Sequence, residues 1–243
     1  VYEHSYGNRL RPNLIDEDTK RATYSPYLFQ PYFQQYESWR DTALEYAKKN
    51  LQKNQDVVLL TLDFKRFFYQ VNIEKEELLS VVNDAIKECD VVYKELAIKL
   101  TYFVSDIIAK YSLILNDNCH DEICNRNILP IGFHPSYILA NYCLKKFDET
   151  LVNGWNPLYY GRYVDDIIIV DKVEKSSFIY KKAESGELTA KEMMDFYLLS
   201  NDAWRRTAFF SESNSNGLLV TDKCGKIYSV NSDFVQFSDS KII

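Results

Sequence analysis

The 243-residue chain is 46% hydrophobic and 26% charged with a net charge of −6, an ordinary globular balance that weighs against a generic nucleic-acid binder with a basic footprint. Gly (7) and Pro (6) are scarce, which excludes long flexible linkers. No apolar run reaches the roughly 18 residues of a membrane span, and the five unevenly spaced Cys suit a reducing cytoplasm better than a disulfide framework.

Residues 1–31 read as loop, punctuated by Pro12, Pro26 and Pro31. Trp39, Ala43, Leu44 and Ala47 keep helical spacing over residues 34–54. Val57 to Leu62 is a β-rich run and predicts a buried strand. Ile73 to Cys89 is helical again, with Glu74, Glu76 and Glu77 placed where the helix dipole favours acids. Leu96 to Ala109 predicts a strongly apolar helix, and residues 116–128 an irregular polar stretch. Within that stretch Cys119, His120 and Cys124 lack the second ligand pair of a zinc site, so a polar loop with incidental thiols is expected.

After Pro135, Ser136 is placed to cap a helix carrying Leu139, Cys143, Phe147 and Leu151 on one face. Tyr159 to Val170 predicts two short strands around a tight turn. Thr189 and Glu192 form a capping-box pattern ahead of a helix reaching about Ala203. Residues 217–237 alternate like a small hairpin or meander. This order of elements predicts an α+β fold with a small antiparallel sheet flanked by helices.

Three stretches carry the chemistry. In Tyr163-Val164-Asp165-Asp166, followed by Ile167 to Val170, two carboxylates occupy a hairpin turn that would ordinarily prefer Gly or Asn. Their repulsion is roughly 3 kcal/mol at about 5 Å and an effective dielectric near 20. A bound dication would remove it; a solvated acidic turn is the plainer reading. Asp63 closes the run Val57 to Leu62, where a carboxylate is costly unless paired or metal-bound; a helix cap or a surface strand end is the plainer reading. Asp63 and Asp165 on adjacent strands would offer the hard oxygen ligands that magnesium prefers. In Leu129-Pro130-Ile131-Gly132-Phe133-His134-Pro135-Ser136, a Gly between two prolines allows close backbone approach to a ligand, or simply leads into a helix.

Together these pieces resemble the palm of reverse transcriptases. Asp63 to Phe68 is similar to the first catalytic motif, Leu129 to Ser136 to the second, and Tyr163 to Asp166 to the third. Ser5 to Pro12 resembles the finger motif of bacterial and group II intron members, and Thr221-Asp222-Lys223 the lysine motif behind the site. The resemblance implies a right-hand polymerase of fingers and palm. Residues 1–56 would be a fingers segment. Residues 57–243 would be palm, interleaved with fingers helices at about 74–130. Phe234 to Lys241 resemble the end of a palm, so a thumb or C-terminal helical region is expected outside this chain.

Roles follow from the same resemblance. Asp63, Asp165 and Asp166 are the expected catalytic acids, holding two Mg2+ ions (Mn2+ as a substitute) together with the backbone carbonyl of Phe64. Phe68 takes the gate position beneath the incoming sugar, where a bulky ring rejects a 2′-OH; Phe67 is left for core packing. Arg9, Arg11, Lys65 and Arg66 are candidates for the triphosphate, with Gly132 nearby and Lys223 as a proton donor to pyrophosphate. Tyr163, Pro130, Ile131 and Ser136 are the expected nucleic-acid contacts. The implied partners are dNTPs, an RNA template or associated non-coding RNA, the DNA product, a protein primer and further copies of the chain, with no membrane.

One departure narrows the resemblance. Many reverse transcriptases carry Gln after the Pro of the second motif, where this chain has Ile131. Leu129 to Phe133 with Ala140-Asn141-Tyr142 look like the bacterial defence-associated and abortive-infection members, some of which synthesise DNA without a conventional template or prime on a protein hydroxyl. Two other classes stay open. A catalytically inactive palm could serve as a scaffolding or RNA-binding module, and Phe68 weighs against an RNA polymerase of similar palm.

Overall fold

The computed structural model describes residues 2–11, 14–15, 22–23, 27–64, 67–88, 94–118, 127–189, 192–193, 195–201, 204–207, 220–221 and 227–230. The chain forms two compact units, one from Val1–Phe64 and Phe147–Trp204, the other from Lys65–Lys146 and Arg205–Ser238. The architecture is the expected α+β: helices with small antiparallel sheets.

The first unit is organised by a three-stranded antiparallel sheet. After the short pair β1 (Leu14–Ile15) and β2 (Ala22–Thr23) and helix α1 (Tyr32–Leu51), strand β3 (Val57–Asp63) pairs with β5 (Asp166–Lys172), and β5 with β4 (Tyr159–Tyr163). As the central strand, β5 is buried from Ile167 to Val170, and β4 is buried throughout. Val57 to Leu62 does not form a wholly buried strand. Along β3 buried Leu60 and Leu62 alternate with exposed Leu59 and Thr61, as burial of only one face requires.

Helix α1 covers one face of this sheet. Trp39 and Ala43 are its buried stripe, whereas Leu44 faces solvent. The Trp39 indole donates to the Gly161 carbonyl at 2.9 Å, and the Tyr159 hydroxyl donates back to the Trp39 carbonyl at 3.0 Å. Trp39, Ala43, Tyr159, Tyr163, Ile168 and Val170 pack as one core cluster. Two reciprocal hydrogen bonds within an apolar contact fix helix and strand in a single register.

In the second unit α2 (Phe67–Gln70) precedes α3 (Lys75–Glu88) and α4 (Lys94–Asn118), which pack together. α4 outruns the expected Leu96 to Ala109 and takes in residues 116–118. Its Ser112 hydroxyl donates to the Ile108 carbonyl at 2.8 Å and accepts from the Ile128 N–H at 2.9 Å. The buried Ser112 hydroxyl thereby anchors Ile128 to α4.

Helix α5 (His134–Cys143) starts two residues before Ser136, with Phe133 as N-cap and no side-chain cap bond. Ser136 therefore does not cap it. Pro135 lies in the first turn, where its missing N–H costs nothing, so the helix begins ahead of the proline. The apolar face continues through α6 (Lys145–Glu149) and a π-helical turn Thr150–Trp155 rather than one unbroken helix, with Cys143, Phe147 and Leu151 all buried. α7 (Phe178–Ser185) starts on a Ser177 cap.

The Thr189 and Glu192 box is formed: the Glu192 N–H donates to Thr189 Oγ1 at 3.2 Å, and the Thr189 N–H to Glu192 Oε2 at 3.1 Å. A π-helical turn Asp195–Leu199 follows, and Ala203 lies outside the described residues. Strands β7 (Val220–Thr221) and β8 (Ile227–Val230) pair antiparallel as the expected small hairpin, and β6 (Trp204–Thr207), which was not expected, joins the other side of β8 in the order β6-β8-β7. Cys119, His120 and Cys124 lie outside the described residues. No helix among the described residues is long and apolar enough to cross a membrane.

Candidate active site

The strand register assembles the acids. β3 runs antiparallel to β5 from Val57 opposite Lys172 to Asp63 opposite Asp166. Asp166 is therefore the acid on the adjacent strand, and Asp165 sits one residue earlier, in the turn. The Phe64 N–H donates to the Asp165 carbonyl at 3.3 Å, joining the end of β3 to that turn.

The turn itself is strained. Only Val164 and Asp165 separate β4 from β5, and Val164 has φ 58°. A two-residue hairpin requires such a left-handed residue. The other described non-glycine residues with positive φ are Asn8, Asn54 and Asn156, of a type that tolerates it. For a β-branched side chain it costs about 1–3 kcal/mol and persists only when the surroundings over-determine it.

Three groups surround the turn. On one side lies the N-terminal segment: the Tyr6 N–H donates to the Arg162 carbonyl at 2.7 Å, and Ser5 bridges Arg162 in parallel. A β-carbon on Gly7 would fall 2.5 Å from Val164 Cγ2 and 2.6 Å from its backbone nitrogen. Gly7→Ala should therefore destabilise the first unit by about 1–3 kcal/mol. Chemical denaturation followed by tryptophan fluorescence checks this; an unchanged midpoint would show that the segment sits elsewhere.

Beneath the turn lies a buried ionic network. Arg162 and Asp148 are each 0% exposed. Arg162 Nε and Nη2 donate to the two Asp148 oxygens at 2.8 Å, and Nη1 donates to the Val164 carbonyl at 2.7 Å. Tyr160 donates its hydroxyl to the same carboxylate. Burial works against the Arg162 charge, but the Asp148 carboxylate outweighs it and raises the guanidinium above its ordinary value.

Aromatic rings form the third group. Tyr163 is buried, its ring edge-on to Tyr32 at 5.5 Å and Tyr36 at 5.4 Å. Burial pushes its hydroxyl up to about 12.

Electrostatically the site is short of positive charge. Burial raises the Asp165 carboxyl from 3.8 to about 6, helped by the neighbouring Asp166 charge and, less, by Asp63, while Arg162 pulls the other way. The acids do not close into a ready cage: among the described residues no group of three or more His, Cys, Asp or Glu is arranged to hold an ion. The donor chemistry nevertheless suits magnesium, which takes one or two carboxylates and completes its shell with water and substrate phosphates.

A strand acid facing an acidic hairpin turn across an antiparallel register is the arrangement expected of the palm, and the family model for reverse transcriptase (RNA-dependent DNA polymerase) matches residues 9–185. The chain belongs to the reverse transcriptase family. No curated protein and no solved structure matches it. The matched span of this reverse-transcriptase chain contains Asp63, Phe64, Phe68, the Pro130 loop and the Tyr163 to Asp166 turn, and leaves Lys223 outside. Family membership implies a fingers-and-palm fold, RNA-directed DNA polymerase activity on dNTPs with an RNA template, and general use of divalent metal ions.

The remaining expected residues divide sharply. Phe67 is 1% exposed and takes the core role, while Phe68 is half-buried, its ring edge-on to Tyr137 at 6.1 Å. The Leu129 N–H donates to the Phe68 carbonyl at 3.0 Å, so the Pro130 loop and Phe68 are tied within one unit. In that motif Pro130 and Ser136 are buried, whereas Ile131 and Gly132 (φ 85°) face solvent.

Arg9 donates to the carbonyls of Ser5 and Glu3 and lies over the Tyr6 ring at 4.5 Å. Arg11 donates to the Phe29 carbonyl at 3.0 Å and lies over Tyr27 at 5.4 Å. Lys65, Arg66 and Lys223 lie outside the described residues.

Sequence reasoning missed Arg162, Asp148 and Trp39 as site-forming residues of this reverse-transcriptase palm. A signal was present for two of them. Arg162 interrupts a strand that is otherwise aromatic and glycine, and Asp148 falls between Phe147 and Leu151 on an apolar helical face. Charges in such places are rarely left unpaired.

Proposed function

We propose that this chain carries out RNA-directed deoxynucleotide transfer, with Asp63 and Asp165 holding two Mg2+ ions and Asp166 and the Phe64 carbonyl in support. The observation that carries this reading is the register of Asp63 opposite Asp166 beside the strained Asp165 turn, in a chain of reverse-transcriptase family. When bound, the ions would stabilise the attacking 3′-oxygen and the leaving pyrophosphate of an in-line displacement. The protein's own contribution is to bring the three carboxylates to one end of the sheet despite their mutual repulsion, and bound ions with substrate phosphates would draw them into a complete shell.

In this reading Phe68 excludes a 2′-OH, and Arg9, Arg11, Lys65, Arg66, Gly132 and Lys223 serve the triphosphate and pyrophosphate. Arg9 and Arg11 would have to exchange their backbone carbonyl partners for phosphate oxygens. Tyr163 and the loop from Pro130 through Ile131 to Ser136 serve the nucleic acid, Ile131 and Gly132 as its exposed atoms. The Ile131 position and the Ala140-Asn141-Tyr142 segment support a place near the bacterial defence-associated members, with a role against phage and with non-templated or protein-primed synthesis as a variant of the same chemistry.

The test is incorporation of labelled dNTPs by purified protein with Mg2+ or Mn2+ and a primed RNA, compared with Asp63→Asn. Metal-dependent incorporation lost in the variant supports the reading. Absence of incorporation, together with no metal-dependent shift in melting, would favour an inactive scaffolding palm. Phe68→Ala should raise the use of rNTPs relative to dNTPs by about tenfold or more. Parallel single-nucleotide extensions measure it, and an unaltered ratio would remove Phe68 from the gate.

A further inference from the structure

We propose that Arg162 and Asp148 are positioning residues for nucleotide transfer: their buried pair ties helix α6 to the Val164 carbonyl and thereby holds the turn that presents Asp165. This deepens the polymerase reading and rests on it.

The geometry divides one guanidinium between two tasks. Nε and Nη2 meet the Asp148 carboxylate at 2.8 Å each, which fixes the plane of the group. The remaining Nη1 is thereby aimed at the Val164 carbonyl, 2.7 Å away. A lysine has no such fork and cannot satisfy both partners in a defined plane. Asp148 is itself held by the Tyr160 hydroxyl, and the Tyr160 carbonyl is bonded by His4 Nδ1 at 3.0 Å. The carboxylate is therefore a fixed anchor, not a mobile counter-ion.

Two further observations point the same way. Burying both charges completely is costly, and apolar residues of similar size usually serve stability as well or better. The network ends on the carbonyl of the one β-branched residue among the described positive-φ positions, where outside support is what keeps the conformation populated. Gly7 and the Phe64 N–H press on the same turn from other directions.

The experiment compares wild type with Arg162→Lys, with Asp148→Asn/Arg162→Met, and with the latter carrying Val164→Gly. In the double variant no charge is left buried alone and Tyr160 keeps an acceptor, so its melting temperature should stay near wild type. Its kcat should nevertheless fall about 100-fold with KM for dNTP little changed, the signature of misplaced groups. Glycine adopts the left-handed conformation without strain, so the triple variant should recover at least about tenfold in kcat. A merely structural pair predicts that a stable double variant is also an active one.

A folded double variant within about threefold of wild-type kcat overturns the proposal, as does a triple variant that recovers nothing. If the double variant fails to fold, Arg162→Lys decides by the same loss of kcat at constant KM, or its absence. Hydrogen exchange at the Phe64 amide is followed in parallel. It should quicken in the double variant, or in Arg162→Lys, as the turn loosens; unchanged exchange overturns the tie. Should wild type incorporate nothing, the polymerase reading fails by itself, and this exchange still decides whether the pair holds the turn.

Discussion

Asp165→Asn is expected to melt at a higher temperature than wild type in the absence of metal while losing nucleotide incorporation by about 1,000-fold or more. The two effects have one cause. Burial and the charges of Asp166 and Asp63 raise the Asp165 carboxyl from 3.8 to about 6. The folded protein therefore holds the proton more tightly than the unfolded chain, and ionisation destabilises it. That stability is fully present below about pH 4 and is lost as the pH rises through about 6.

Asparagine carries no charge to be penalised, so its advantage over wild type should grow across this window and level off above it. At neutral pH it should reach about 1–3 kcal/mol, allowing for partial solvent screening. Paired melts at pH 4 and pH 8 without divalent ions measure it. Equal stability of the two proteins at both pH values would show that the turn is more solvated than its packing implies. Added Mg2+ should narrow the gap at pH 8, because a dication offsets the same repulsion. Incorporation retained by Asp165→Asn would remove the residue from the reaction altogether.

The largest stability effect is expected from breaking the buried pair. Asp148→Ala leaves the Arg162 guanidinium, 0% exposed, without its carboxylate and Tyr160 without its acceptor. Stripping one partner from a buried ion pair costs about 3–5 kcal/mol. In a protein of this size that corresponds to a fall of roughly 6–20 °C in melting temperature. Arg162→Ala should cost a similar amount, and the two losses should be far from additive, since either variant removes the same interaction. A double-mutant cycle by denaturant unfolding is the check. A loss below about 1 kcal/mol in both single variants would mean that water reaches the pair.

Much of this protein is legible along the chain because its signals are local. Asp63 at the end of a β-rich run, the Tyr163 to Asp166 turn and the Thr189 and Glu192 box all depend on neighbours a few residues away. The expectations that failed depend on neighbours far away in sequence. The burial of β3 alternates because only one of its faces is covered, which packing across the sheet decides. Ser136 is buried inside the first turn of α5 because the helix starts ahead of Pro135, a choice made by the packing of the Pro130 loop as much as by capping preference.

The sequence by itself determined which residues could do the chemistry: acids of the right type, in the right order, at spacings that resemble a polymerase palm. Tertiary structure decided how those acids meet. The register sets Asp166, not Asp165, opposite Asp63, and the Arg162 guanidinium links Asp148, 14 residues earlier, to the turn. Hydrogen bonding and close packing act across space, and no local pattern encodes which distant groups they join. The Asp165 turn is therefore written in the chain as a motif but held in place only by the fold.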